Sequence, residues 1–201
     1  FLARLGSGSA ARSVEGPLVL WGEHAATPVS SDLFGVRWTK AADVFTTYRD
    51  TILLVDKGQK EVSSTVGHNL MHNHPFAENR FAQAKAHYQA LLTILEKGDM
   101  DGFSDLVERE ALSLHAMMLT SSPSYILMHA NTIQIIQEVR TFRKTSGLHL
   151  TFTLDAGANV HLLYPAHEAE KIDQFIASDL RKYCQDNELI YDRVGTGLKK
   201  V

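Results

Sequence analysis

Two apolar runs, Leu148–Leu154 and Asn159–Tyr164, are separated only by Asp155-Ala156-Gly157-Ala158. Each run is short and bounded by turn residues, which reads as a strand. A connection of this length closes a hairpin and is far too short for the crossover that a parallel pair demands. The pair is therefore antiparallel, which argues for an α+β sandwich and against a doubly wound sheet. Thr51–Val55 is a further buried strand stopped by Asp56-Lys57-Gly58, and Leu189–Val194 and Pro17–Gly22 read as two more.

Helical periodicity fills the space between them. Residues 80–97 carry a stripe of Phe81, Ala84, His87 or Tyr88, Leu91, Leu92 and Leu95, ended by Gly98-Asp99. Residues 101–120 carry Phe103, Leu106, Val107, Ala111, Leu114 and Met117 or Met118, stopped at Ser121-Ser122-Pro123. A third helix spans 132–143 and is closed by Gly147, and a fourth runs over 168–184 through Ile172, Phe175, Ile176, Leu180 and Tyr183. The expected architecture over 45–201 is a ferredoxin-like antiparallel sheet covered by helices on one face. The stretch 23–44, with Pro28, Ser30-Ser31-Asp32 and Gly35, reads as irregular connection, so residues 1–44 form a separate unit.

A chain of 201 residues suffices for one ordinary domain, or one domain with part of another. Its net charge of −3 gives no global attraction to nucleic acid or anionic membrane, so a bound anion must be held by a local cluster. No apolar run approaches the roughly 18 residues that span a bilayer. Cys184 is the single cysteine; no intrachain disulfide can form, and a cytoplasmic setting is the simplest. Cys184 itself reads as packing.

Chemistry concentrates in two places. Gly6-Ser7-Gly8-Ser9-Ala10-Ala11-Arg12-Ser13 puts small residues where a chain could enter a helix. Glycines permit close backbone approach, a helix N-terminus offers unpaired N–H groups, and Arg12 adds a planar fork for a carboxylate or phosphate. The same run is compatible with a flexible linker, but its apolar flanks, Leu2, Leu5, Val14 and Leu18–Trp21, look like folded core. Asp155 is the second place: it ends an apolar strand and begins a glycine-containing turn. Such an Asp either stabilises the turn or stands in a cleft as a base or electrostatic partner. His68, His72 and His74 resemble a metal cluster but lack a fourth ligand, and Pro75 disrupts regular structure beyond them. They read as surface or substrate-facing histidines, and no metal is assigned. His115, on the inner stripe of its helix, reads as a core histidine.

Four stretches line up in order: LARLGSGSAARS (2–13), VSST (62–65) with Gly67 and Arg80 downstream, SLHAMMLTSSPSY (113–125) and FTLDAGANVHLLYP (152–165). Together they resemble the mevalonate diphosphate decarboxylase family of the GHMP kinase superfamily, from residue 2 to about Gly197. The resemblance implies a GHMP-kinase-type two-layer sandwich, with the tail of a ribosomal-S5-like N-terminal lobe at 1–44 and the C-terminal domain at 45–201. It implies ATP- and Mg²⁺-dependent conversion of (R)-mevalonate 5-diphosphate to isopentenyl diphosphate, by phosphorylation of the 3-hydroxyl, departure of phosphate and loss of CO2. It places Ser7, Gly8, Ser9 and Arg80 at the substrate, Arg12 on the mevalonyl carboxylate and Asp155 at the 3-hydroxyl. It further implies a cytoplasmic homodimer with no nucleic-acid or membrane partner.

Departures from the family pattern are local. Val14-Glu15-Gly16-Pro17 replaces an aromatic residue followed by Gly-Gly, Ser122-Pro123-Ser124-Tyr125 replaces a double proline, and HNLMHNHPF (68–76) replaces a Thr/Ser-rich stretch. The superfamily's nucleotide phosphate loop belongs upstream of residue 1. The expectation is that Phe1–Val201 is a C-terminal part that neither binds ATP well nor turns over by itself. Two alternatives stand beside the main reading: a phosphomevalonate decarboxylase acting on the 5-monophosphate, and an inactive binding or dimerisation module.

Overall fold

The computed structural model describes residue 10, residues 14–58, residue 71 and residues 73–197. The first ordered pair is a short antiparallel ribbon of β1 (Val19–Leu20) and β2 (Val36–Arg37), in which Val19 faces Arg37. The strand expected over 17–22 is thus two residues long, and its partner lies in the stretch expected to be irregular. Runs this short carry too few alternations for periodicity to reveal them.

A single turn of helix, α1 (Asp43–Thr46), drives Phe45 into a small apolar cluster with Leu95 and the rings of Tyr48 and Phe103. The Ala42 N–H donates to the Leu95 carbonyl at 2.8 Å, which ties this segment to the second helix. The boundary expected between 44 and 45 falls inside α1.

The main unit contains β3 (Arg49–Leu53), α2 (Ala77–Lys97), α3 (Met100–Leu119), α4 (Ala130–Ser146), β4 (Thr151–Leu154), β5 (Val160–Tyr164), α5 (Ala169–Phe175) and β6 (Leu189–Arg193). The strands form one sheet in the order β4-β5-β3-β6, with every neighbouring pair antiparallel. The hairpin is therefore β4–β5, with Leu154 facing Val160. Alternation sends Leu53, Phe152, Leu154, Val160, Leu162 and Tyr164 into a core with Ile135, Ile136 and Val139 of α4 and Ile172 of α5. Asp50, Ile52, Thr153 and His161 point to the other face and are half-buried.

Helix termini follow the sequence signals. Gly98 and Gly147 close α2 and α4 in the left-handed conformation, at φ of 72° and 71°, where a Cβ would be strained. Asp99 caps α3 by accepting from the Gly102 N–H at 2.9 Å.

Three expectations shift in the packed structure. The α2 stripe buries only Leu92 and Leu95, and Phe81 is exposed. The buried face of α3 includes Ser104 and Glu108 beside the expected His115, whereas Leu114 is partly exposed. The helix expected over 168–184 runs without a break to Tyr183 but changes type: after α5 comes a π-type turn at Ile176–Leu180 and a 3₁₀ turn at Arg181–Tyr183. Ile172, Ile176 and Leu180 recur every fourth residue, and the wider π turn keeps all three on the core side with no exposure.

Candidate active site

The turn after β4 is braced from three directions. The His115 Nε2–H of α3 donates to the Asp155 carbonyl at 3.1 Å, and the Gly157 N–H donates to the same oxygen at 2.8 Å. The Thr132 hydroxyl of α4 donates to the Ala158 carbonyl at 2.7 Å. The Asn159 side-chain carbonyl accepts from the Asp56 N–H at 2.9 Å, which links the turn to the end of β3. The backbone of Asp155 is fixed by these bonds while its side chain remains exposed. A carboxylate on a rigid turn meets a reactant without first losing conformational freedom, a favourable arrangement for a base or an electrostatic partner.

His115 is only 2 % exposed. Burial lowers its pKa below that of a free histidine, despite the opposing effect of the Asp155 carbonyl. The ring is therefore neutral near pH 7, with its proton on Nε2. The sequence reading identified a core histidine; that it braces the Asp155 turn is legible only in the fold.

Beyond the turn, Glu108 of α3 lies 4 % exposed and accepts from Arg143 Nη1 at 2.6 Å, Arg140 Nε at 3.1 Å and the Thr151 hydroxyl at 3.0 Å. This network joins α3, α4 and the first residue of β4, so the strand that ends at Asp155 is anchored at both ends. A stripe argument counts only apolar residues and passes over Ser104 and Glu108; their burial depends on partners distant in sequence.

Arg80 of α2 forms a two-pronged pair with Glu110 of α3, at 2.6 and 3.2 Å, and also donates to Gln83. His87 shares the same carboxylate. The guanidinium fork expected at the substrate thus already holds a carboxylate. His74 is buried, contrary to its reading as a surface or substrate-facing group. Its Nδ1 accepts from the Phe76 N–H at 3.1 Å, so its Nε2–H donates to the Met117 carbonyl at 3.0 Å. It anchors the start of α2 onto α3. Ser7, Gly8, Ser9, Arg12, His68 and His72 lie outside the described residues.

Cys184 is buried, and burial pushes its thiol up to about 11, as expected of a packing residue. No described helix is long and apolar enough to cross a membrane.

The sequence profile of the mevalonate 5-diphosphate decarboxylase C-terminal domain matches residues 51–197. The diphosphomevalonate decarboxylase of Candida albicans is 27% identical over 178 residues, covering 85% of this chain and 47% of the relative. A solved mevalonate diphosphate decarboxylase from Staphylococcus aureus superposes with a TM-score of 0.82 at 23% identity, covering 98% of this chain and 57% of that one. A structure of the Enterococcus faecalis enzyme, described as showing a mevalonate diphosphate mediated ATP-binding mechanism, gives 0.80 at 21% identity over 98% and 57%. The fold is thus the GHMP-kinase-type arrangement of helices on antiparallel sheet seen in those proteins, and the chain spans about half the length of the relatives it matches. With well over half of its residues under the matching profile, the chain belongs to the mevalonate 5-diphosphate decarboxylase family through its C-terminal domain.

Proposed function

We propose that this chain supplies the C-terminal half of an ATP-dependent decarboxylase that converts (R)-mevalonate 5-diphosphate to isopentenyl diphosphate, ADP, phosphate and CO2. The observation that carries the reading is Asp155: an exposed carboxylate on a turn held by α3, α4 and the end of β3. In this reading Asp155 accepts a hydrogen bond or the proton from the 3-hydroxyl as phosphate is added there. Phosphorylation converts a poor leaving group into a good one. When phosphate departs with the C3–O electrons, positive character develops at C3, close to the Asp155 charge. The electrons of the C–COO⁻ bond then move toward C3, forming the alkene and releasing CO2.

Arg12 holds the mevalonyl carboxylate in line with the breaking bond, and Ser7, Gly8 and Ser9 line the substrate. A clamp of this kind raises turnover only by favouring the reacting geometry, since equal binding of ground and transition states does not. ATP and Mg²⁺ enter as the phosphoryl donor and its counter-ion. Among the described residues no three His, Cys, Asp or Glu side chains converge as a metal site, and no residue here is assigned to Mg²⁺. A cytoplasmic homodimer completes the proposal, with mass in solution as its check.

The test follows ADP and CO2 together in the full-length gene product, from mevalonate 5-diphosphate and separately from the 5-monophosphate. One ADP per CO2 with the diphosphate supports the reading, and Asp155→Asn lowers kcat by roughly 10²-fold or more, the usual contribution of a positioned base. Turnover of the monophosphate alone moves the assignment to phosphomevalonate. No product from either substrate removes it.

A further inference from the structure

His161 on β5 lies on the sheet face opposite the main core. Its Nδ1 sits 3.0 and 3.1 Å from the two oxygens of Asp50 on β3. Because a carboxylate only accepts, Nδ1 carries a proton. The ring is 24% exposed at its side chain, and its Nε2 makes no hydrogen bond among the described residues.

Register places this ring beside the candidate site. His161 faces Thr153 directly across the β4–β5 pair. Asp155 is two residues beyond Thr153 and one past the end of β4, so carrying the alternation one step on sets it diagonal to His161, about 7–8 Å away for such neighbours, and its charge acts on the ring. Among the described residues, the other charged groups on this face are Asp50, Asp192 opposite it on β6, and Glu188 just before β6, which is paired with Lys57 at 3.2 Å. From α3, His115 reaches the Asp155 carbonyl in its neutral form. Among the described residues, carboxylates therefore outnumber cations around this imidazole. The hydrogen bond to Asp50 raises the His161 pKa, burial lowers it in part, and the charges of Asp50 and Asp155 raise it further. Protonated, the ring is a cation with one N–H committed to Asp50 and the other without a partner among the described residues.

We propose that His161, oriented by Asp50, is a substrate-binding residue whose Nε2–H donates to an anionic oxygen, carboxylate or phosphoryl, of the substrate bound at Asp155. Asp50 is the positioning residue: it fixes the ring's rotation and favours its protonated form. The arrangement offsets the repulsion that Asp155 presents to an anionic substrate. This inference rests on the proposed decarboxylase reading. The pairing of the two is not legible in sequence, because they stand 111 positions apart.

The test measures KM and kcat of the full-length enzyme from pH 6 to 9 for wild type, His161→Gln and Asp50→Asn, with circular dichroism as a check on folding. The expected wild-type result is a KM that is lowest when the ring is protonated and rises as pH climbs through its raised pKa. His161→Gln raises KM about tenfold at the low-pH end, a loss in keeping with one charge-assisted hydrogen bond, and abolishes the inflection. Asp50→Asn keeps the ring but lowers its pKa, so the inflection moves to lower pH, a shift that a merely structural role would not produce. Turnover with unchanged KM and unchanged pH profile in both folded variants overturns the inference and leaves the decarboxylase reading intact. Absence of wild-type turnover on either mevalonate phosphate overturns both.

Discussion

Glu108→Ala is expected to unfold this domain well before the wild type, because it removes one member of a buried charged network and leaves the others behind. The carboxylate is 6% exposed at its side chain and holds Arg143 at 2.6 Å, Arg140 at 3.1 Å and Thr151 at 3.0 Å. Arg140 is 49% exposed at its side chain, so water takes over its solvation and little is lost there. Arg143 is 23% exposed and retains the Leu150 carbonyl at 2.8 Å, which compensates only part of its charge. The Thr151 hydroxyl is fully buried, with only a long contact of 3.4 Å to the Ser104 carbonyl remaining. Two bonds to the carboxylate, from Arg143 and from Thr151, and a partly orphaned cation amount to about 3 kcal/mol. For a chain of this size that corresponds to a fall in Tm of roughly 6–12 °C. The assay is thermal unfolding followed by far-UV circular dichroism, with Glu108→Ala/Arg143→Met as the control. The double variant removes both charges and should recover part of the loss, since the penalty lies in the unpaired partner. A single variant within about 1 kcal/mol of wild type, or a double variant less stable than the single one, would refute the reasoning.

Three smaller predictions follow. His115 has a native pKa below its unfolded value, so as pH falls through about 6.5 the unfolded chain takes up a proton that the native state refuses. Stability is therefore lost on the acid side, and His115→Phe should flatten that limb of a urea-midpoint titration between pH 7 and 5 while costing about 1–3 kcal/mol at pH 7. Gly197 has φ of +79°, and a Cβ there would come 2.5 Å from the Gly16 nitrogen. Gly197→Ala should thus lower the urea midpoint by an amount equivalent to about 1 kcal/mol or more, whereas Gly147→Ala, also left-handed but with open space around its Cβ, should cost less. Cys184, 7% exposed with its thiol raised to about 11, should react with a thiol reagent at pH 8 only slowly in native buffer and promptly in urea; fast native labelling would contradict the packing.

Local sequence signals were strongest where the backbone itself enforces them. Gly98, Asp99 and Gly147 mark helix ends because left-handed φ and side-chain capping are properties of one or two residues. Asp155-Ala156-Gly157-Ala158 marks the hairpin for a similar reason, since so short a connection permits only antiparallel strands. The change of helix type after α5 was hidden because the fourfold recurrence of Ile172, Ile176 and Leu180 fits an amphipathic α-helix nearly as well as a π turn. β2 was hidden, and β1 was read as longer than it is, because two-residue strands have no period.

The amino-acid order by itself determined an antiparallel α+β domain, its helix termini, and Asp155 as the acid at the end of a strand. It determined these because propensity, periodicity and turn chemistry act over a few residues. The tertiary structure decided what those residues meet: His115 under the Asp155 turn, His74 folded away beneath α2, Arg80 held by Glu110, and His161 beside Asp50. Each of these contacts joins residues 30 or more positions apart. Hydrogen-bonding capacity is written in every polar side chain, but the partner that satisfies it is chosen only when the chain closes on itself.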